Sequence, residues 1–317
     1  MRKSTMVCLI VAGALAVVGL AFFAIGISFS GGFIDLNMTT NEYKIKDTFN
    51  DISIHVDTAD VRILYTEDDE CRIECYENPG REQHVASVKD GVLTVERFDQ
   101  RRWYQKVFDY GKTPAVTVYL PAQLWGDLSI KVSTGDVNLG QNLTFKNIEI
   151  KGSTADITCD AVVEDLLKIQ VSTGDIDLNG SSGKTVDLAV TTGEIEVNTL
   201  ICTDLTVRVS TGDAELSEVI CKTFTSTGST GDLELEHVMA EEFSIERSTG
   251  DLNMERCEAG KIWIKTDTGD VRGTLLSDMV FYVTTDTGKV SVPKSTTGGL
   301  CEVTTDTGNI TFSVMGK

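Results

Sequence analysis

This 317-residue chain is poor in the residues that most catalytic and nucleic-acid-binding sites require. It has 3 histidines and 4 prolines. His55, His84 and His237 stand in unrelated surroundings, and there is no serine-nucleophile motif, phosphate loop or zinc-ligand spacing. The chain is therefore read as a non-enzyme with no catalytic residue. Basic residues are also scarce, with 28 Lys and Arg against 48 Asp and Glu and a formal net charge of -20. Binding to a phosphate backbone needs clustered cations, so nucleic acid is excluded as a partner. The acidic excess suits a soluble surface exposed to cations. The hydrophobic share of 41% excludes bulk disorder.

One long apolar run is present. Arg2 and Lys3 precede an uncharged stretch from Met6 to Phe29, long enough to cross a hydrocarbon core as a helix. No cleavage site of the usual form follows it, which favours an uncleaved signal anchor over a removed signal peptide. Cys8 lies too early for a lipoprotein box. The first basic residue after the span is Lys44. The positive-inside rule then places the N-terminus in the cytoplasm and the rest outside, as a single-pass cell-membrane protein.

Of the 8 cysteines, all but Cys8 follow the span. Cys71 and Cys75 share a strand face with Ile73, and Cys159 and Cys301 fall on core positions of the repeat described next. These read as small buried hydrophobes. Cys202 and Cys221 occupy the same place in adjacent repeats. They could bridge, or stand as two stacked free thiols.

The repeat itself dominates the sequence. Val132-Ser133-Thr134-Gly135-Asp136 recurs around Gly174, Gly193, Gly212, Gly231, Gly250, Gly269, Gly288 and Gly308, at a period of about 19 residues. Ala155 takes the glycine's place in one copy. Counting from that glycine, positions minus seven and minus five are apolar, as in Leu128 and Ile130 or Ile262 and Ile264. Positions plus two and plus four are also apolar, as in Ile176 and Leu178. Alternation at period two marks half-buried strands, two per repeat, joined by the Thr-Gly turn. One such unit cannot bury its apolar side alone, so copies must stack. The expected fold is an all-β parallel β-solenoid of about eleven coils, right-handed by the general rule for parallel crossovers.

An earlier copy runs through Ile52, Ile54, Val56, Thr58-Ala59-Asp60, Val61 and Ile63. Residues 67–121 interrupt the series, with Asp90-Gly91 as a tight hairpin turn. This insertion is expected to be antiparallel and to cover one end of the stack, since a bare end strand templates aggregation. The other end, Thr311 to Lys317, shows no cap. The resulting division is a tail at 1–5, an anchor at 6–29, a linker at 30–47, a first coil at 48–66, the insertion at 67–121 and the repeats at 122–317.

Four surface features are candidate binding elements. The threonine before each glycine points, by parity, toward the interior edge of the turn, where hydroxyls satisfy turn amides. An ice-binding array would need two outward threonine ranks, which only Thr266 and Thr268, Thr285 and Thr287, and Thr305 and Thr307 approach. Asp175 and Asp177, Glu194 and Glu196, Asp213 and Glu215, and Asp232 and Glu234 form an outward acidic ladder. Carboxylates about 4.8 Å apart repel, so the ladder favours weak binding of Ca2+ or a cationic peptide, with local backbone capping as the structural alternative. The opposite face carries Trp263, Lys265 and Tyr282, candidates for glycan or protein contact, the two aromatics being one repeat apart and stacked outward. The basic aromatic stretch Arg97 to Lys112, with Arg101, Arg102, Trp103 and Tyr104, could touch the membrane surface or pack over the solenoid end. No cofactor other than weak Ca2+ is implied.

The Ser-Thr-Gly-Asp frame, the Asp57-Thr58-Ala59-Asp60 copy, the inserted hairpins and the Val118-Tyr119-Leu120-Pro121 lead-in resemble a bacterial family, the "putative adhesin" β-strand-repeat domain of unknown function, which includes Lia-type envelope proteins. The likeness spans roughly residues 48 to 315. It implies a β-solenoid on the cell envelope with a role in adhesion or envelope-stress sensing, and it offers no catalytic residues. The expected function is thus a non-enzymatic envelope adhesin or binding scaffold. The alternative is a membrane-proximal accessory sensor of envelope stress or cationic agents. A glycan-cleaving β-helix enzyme is the second alternative, disfavoured because acids at equal spacing in many repeats form a surface pattern rather than one tuned pair.

Overall fold

The structure, a computed structural model, describes residues 15, 17–19, 38–79, 83–98 and 113–315. Most of the proposed anchor and residues 99–112, with Arg101, Arg102, Trp103 and Tyr104, lie outside the described residues. Among the described residues no helix is long and apolar enough to cross a membrane.

Among the described residues, period-two patterning produces one continuous 24-stranded sheet wound into a parallel β-solenoid. Each strand of the repeats pairs in register with its equivalent one coil away, as Val186 with Leu205 and Val207 with Leu188 across Ile176–Thr192 and Ile195–Thr211. The columns at minus seven, minus five, plus two and plus four are buried, among them Ile52, Ile130, Ile169, Leu205, Phe243 and Ile264. Apolar side chains in these columns thus meet apolar neighbours above and below at about the 4.8 Å strand spacing.

The Thr-Gly corner explains its own sequence. Gly135, Gly174, Gly193, Gly212, Gly231, Gly250, Gly269 and Gly308 have φ between +126° and +155°. A Cβ at Gly212 would collide with the carbonyl of Gly193 one coil below. Ala59 and Ala155, which stand in the glycine's place in two copies, lie outside the positive-φ set.

At the N-terminal end the insertion does more than cover the stack. Val92–Phe98 pairs parallel with Asp51–Thr58, and Ala115–Leu120 pairs parallel with Asp60–Tyr65. Together they add one further rung beneath the first copy, so the insertion is not purely antiparallel. Antiparallel strands then cover that rung: Gln83–Lys89 on Val92–Phe98, Cys71–Glu77 on Ala115–Leu120, and Thr39–Ile45 on Cys71–Glu77. Asp90 (φ 53°) and Gly91 (φ 80°) form the expected two-residue hairpin turn. A buried polar knot ties the cover together. Glu77 accepts from the His84 backbone N–H and from Asn41 Nδ2, both at 2.6 Å, and Tyr43 Oη donates to the His84 carbonyl at 3.1 Å.

At the other end, chain order and stacking order part company. Leu252–Thr268 pairs with Gly299–Thr307, not with Met279–Thr287, which lies one rung farther out. The last repeat, Gly299–Thr307 and Ile310–Val314, is therefore sandwiched, and Met279–Thr287 with Val290–Ser291 closes the stack. The physical reason is apolar content. The sandwiched repeat buries Cys301, Val303, Ile310 and Phe312, whereas Phe281 and Val283 of the outer rung are only partly buried. The chain returns through Gly298, whose φ of +108° admits a close approach to the Asp278 carbonyl. The outer rung's second strand has two residues and is followed by Pro293, which has no N–H to offer a further rung. The C-terminal segment is thus not the uncapped end that its chain position suggests.

Candidate functional site

The most regular feature of the surface runs along the Thr-Gly corner. The threonines before the glycines are exposed, not turned inward. Parity fails there because the chain bends round a convex corner, where positions minus two and minus one both face outward. In stacking order the row is Thr58, Thr134, Thr154, Thr173, Thr192, Thr211, Thr230, Thr249, Thr268, Thr307 and Thr287, each in register with the next. Beside it runs an exposed rank of Ser133, Ser153, Ser172, Thr191, Ser210, Ser229 and Ser248. The turn amides are satisfied by backbone instead: Gly135 N–H donates to Thr154 O at 3.2 Å, and the later glycines repeat the bond. Thr266 and Thr305 are buried and Thr285 donates to the Gly308 carbonyl at 2.9 Å, so the second threonine rank of an ice-binding face does not point outward.

The aspartate after each glycine has a definite partner. Asp213 Oδ1 accepts from the Asp232 N–H, Asp232 Oδ1 from Asp251, and Asp251 Oδ1 from Asp270, at 2.7 to 2.8 Å. The chain of bonds begins at Asp60 and ends with Asn309 accepting from Lys289 N–H at 3.0 Å. Every N–H at this point therefore finds a short side-chain acceptor from the coil below wherever Asp or Asn precedes it. Glu194 is one methylene longer, and Asp175 Oδ1 still caps its N–H at 2.8 Å.

The outward acids two positions on form a like-charge row, in which Glu196 also accepts from Asn198 Nδ2 at 2.7 Å. Asp177 is in register with Glu196, Glu196 with Glu215, and Glu215 with Glu234. Burial first, then the charges of Glu196, Asp175 and Asp156, push the Asp177 carboxyl above its ordinary pKa. Glu194 is raised likewise, by burial and then by Glu215, Asp175, Asp213 and Glu196. The row stops at Asn253 and Arg272, whose guanidinium reaches Asp251 at 3.3 Å and Asp270 at 2.5 Å. Among the described residues no group of three or more His, Cys, Asp or Glu side chains converges as metal ligands. The eight acids are brought into one stripe but not into a coordination sphere.

The opposite face is rearranged by the swapped stacking order. Trp263 and Tyr282 both align with Glu302, on either side of it, so they are two rungs apart and do not stack. Tyr282 is 64% exposed and Trp263 is half-buried. Lys265 lies 3.9 Å from Glu246, Lys151 2.7 Å from Glu149, and Arg208 pairs with Asp187. Cations on this face are matched with acids, and exposed pairs of this kind contribute little stability.

Two features escaped the sequence reading. Arg247 occupies the minus-three core column where several coils have valine, and it is 2% exposed. Its guanidinium fills the space over Gly228 and donates to Ser226 Oγ at 3.1 Å. Burial lowers its pKa, opposed by Asp213 and Asp232. The available signal was Gly228 standing in the valine column one coil before the arginine. The second feature is a cleft of about 580 Å³ at the other corner, lined by Ile220, Cys221, Met239, Ala240, Glu258 and Ala259 among others. Its lining combines residues from five rungs, Gly299 and Ser277 among them, which no local motif announces.

No curated protein matches the chain. A solved structure described as a putative adhesin from Parabacteroides distasonis ATCC 8503 is 13% identical, with a TM-score of 0.48 over 88% of this chain and 98% of that one. Another so described, from Parabacteroides merdae ATCC 43184, is 15% identical, with a TM-score of 0.48 over 89% of this chain and 100% of that one. A structure described as a putative lipid binding protein from Parabacteroides distasonis ATCC 8503 is 13% identical, at a TM-score of 0.47 over 87% and 97%. The model of the family described as Toastrack DUF4097 matches residues 49–220 and 202–317, and the chain belongs to that family.

Proposed function

We propose that this protein is a non-enzymatic binding scaffold of the cell envelope, presenting the Thr-Gly corner and its acidic stripe to a repeating or cationic partner. The observation that carries this reading is the in-register exposure of hydroxyls and carboxylates on a backbone held rung by rung. A surface of this kind offers equal contacts at a fixed spacing of about 4.8 Å, which suits an extended ligand rather than a small substrate. The absence of a convergent catalytic group among the described residues is compatible with the reading and does not carry it. The names of the structural neighbours point toward adhesion or binding, and at their low identity they add only the fold.

The chain is further proposed to be anchored by residues 6–29 with its solenoid outside the cell. The described part of that stretch, Leu15 and Val17 to Gly19, is helical, with Leu15, Val17 and Val18 exposed. Protease added to intact cells should remove the solenoid and leave an N-terminal fragment; full protection would overturn this placement.

The test of the scaffold reading is capture from envelope extracts by the full chain in detergent, with calcium and with a chelator. Enrichment of one envelope polymer or protein, lost in a variant carrying Asp177→Asn, Glu196→Gln, Glu215→Gln and Glu234→Gln, supports it. The accessory-sensor reading rests on the same stripe. It expects binding of polylysine that weakens steeply with salt. Release of fragments from cell-wall glycans would replace both readings by an enzymatic one.

A further inference from the structure

Cys202 and Cys221 are consecutive members of one column at the corner opposite the Thr-Gly turn. Each corner is entered through a left-handed residue, Thr199 at φ 63° and Glu218 at φ 55°. Backbone pairing brackets the two cysteines. Ile201 is in register with Ile220 just before them, and Lys222 N–H donates to Thr203 O at 2.9 Å just after them. Their Cα atoms are thereby held near the interstrand spacing of about 4.8 Å, inside the roughly 4.4 to 6.8 Å that a disulfide spans. The two cysteines thus occupy neighbouring positions of one column on adjacent coils. The column on either side holds Gly183, in register with Cys202, and Ala240 beyond Cys221, so no bulky side chain separates or crowds the sulfurs.

The other described cysteines are differently placed. Cys71, Cys75, Cys159, Cys257 and Cys301 are buried in the core. Cys202 is half-buried, and Cys221, itself buried, lines the cleft of about 580 Å³. This one pair thus combines proximity with access.

We propose that Cys202 and Cys221 form a reversible dithiol–disulfide site, oxidised by exchange with a small disulfide and joining two neighbouring coils at this corner. The Cys202 thiolate attacks one sulfur of the incoming disulfide and expels one thiolate. The Cys221 thiolate then attacks the Cys202 sulfur of the mixed disulfide and expels the second. Two protein thiols are oxidised, one external disulfide is reduced to two thiols, and two protons leave the protein. The neighbouring thiol, then burial, raises the Cys202 pKa, so the exchange is slow at neutral pH and faster in alkali. Nothing in this site depends on what the acidic stripe binds.

The experiment treats the full chain with oxidised glutathione at pH 7 and pH 9, alkylates remaining thiols and digests with trypsin. Cleavage after Lys184, Arg208 and Lys222 puts the cysteines on separate peptides, 185–208 and 209–222. The expected result is a linked peptide pair, formed faster at pH 9, released by dithiothreitol, with a higher melting temperature for the oxidised chain. Cys202→Ala and Cys221→Ala, which match the small residues of the column, should fold, remove the link, and in the second case trap glutathione on Cys202. A glutathione adduct persisting on Cys202 of the unaltered chain would overturn the proposal. Alkylation of both cysteines after oxidation, or a link only between two chains, would do so too.

Discussion

At the residue scale, the turn aspartates and the buried arginine make opposite demands on charge. An Asp at the turn is used as a short acceptor, and Asn309 does the same work without a charge. Asp213→Asn should therefore keep the bond to the Asp232 N–H and leave stability unchanged or slightly higher. Asp213→Ala strands that N–H and should cost about 1 kcal/mol. A urea melt of both variants checks the pair, and equal loss in the two would mean that the charge, not the acceptor, matters. Arg247 is the converse case: its charge sits in an apolar column with one Ser226 contact. Arg247→Met keeps the volume and removes the buried charge, so it should be neutral or stabilising by up to about 4 kcal/mol. Arg247→Ala should destabilise by leaving a void. A lower melting temperature for the methionine variant would show that the charge holds the coil in place.

At the scale of the strand and its ladder, identical spacing turns a favourable arrangement of apolar groups into an unfavourable one of acids. The core columns gain from like meeting like, while Asp177 and Glu196 are forced together by the same register. The Asp177 carboxyl has its pKa raised in the fold above the ordinary 3.8. Such a group favours folding below its ordinary pKa and loses that contribution as pH rises through the raised value. Asp177→Asn should thus raise the melting temperature at pH 7, with the gain shrinking as pH is lowered to 4. A gain independent of pH would show that the charge is not the cause. Asp270 runs the other way, lowered chiefly by the Asn309 N–H that it accepts, so its contribution is present at neutral pH and lost in acid.

At the scale of the whole molecule, stability should follow stacking order rather than chain order. The outer rung at Met279–Thr287 has a neighbour on one side only, whereas Gly299–Thr307 has one on each. Amide exchange should accordingly be faster in 279–291 than in 299–314, although the latter is nearer the C-terminus. The reverse order would mean that the repeats stack as they are numbered. Both ends share this device: the rung that closes the stack is not the first or last repeat in the chain, and short strands, Pro293 or antiparallel cover blunt the exposed edges.

The coil length, the two strands per coil, the inward columns and the need for stacking were all legible in the sequence, because each follows from local alternation and the glycine frame repeated many times. The same regularity made the acidic stripe readable, and it let the first copy at residues 52–63 be matched with the distant repeats. Tertiary structure alone decided which rung closes each end, since that depends on comparing the apolar surface of whole coils. It also decided the outward turn of the threonines, because parity cannot report a corner, and the separation of Trp263 from Tyr282, because a swap of neighbours leaves no trace in a period. The adjacency of Cys202 and Cys221 belongs to both: the repeat put them one coil apart, and the paired backbone on either side set them side by side.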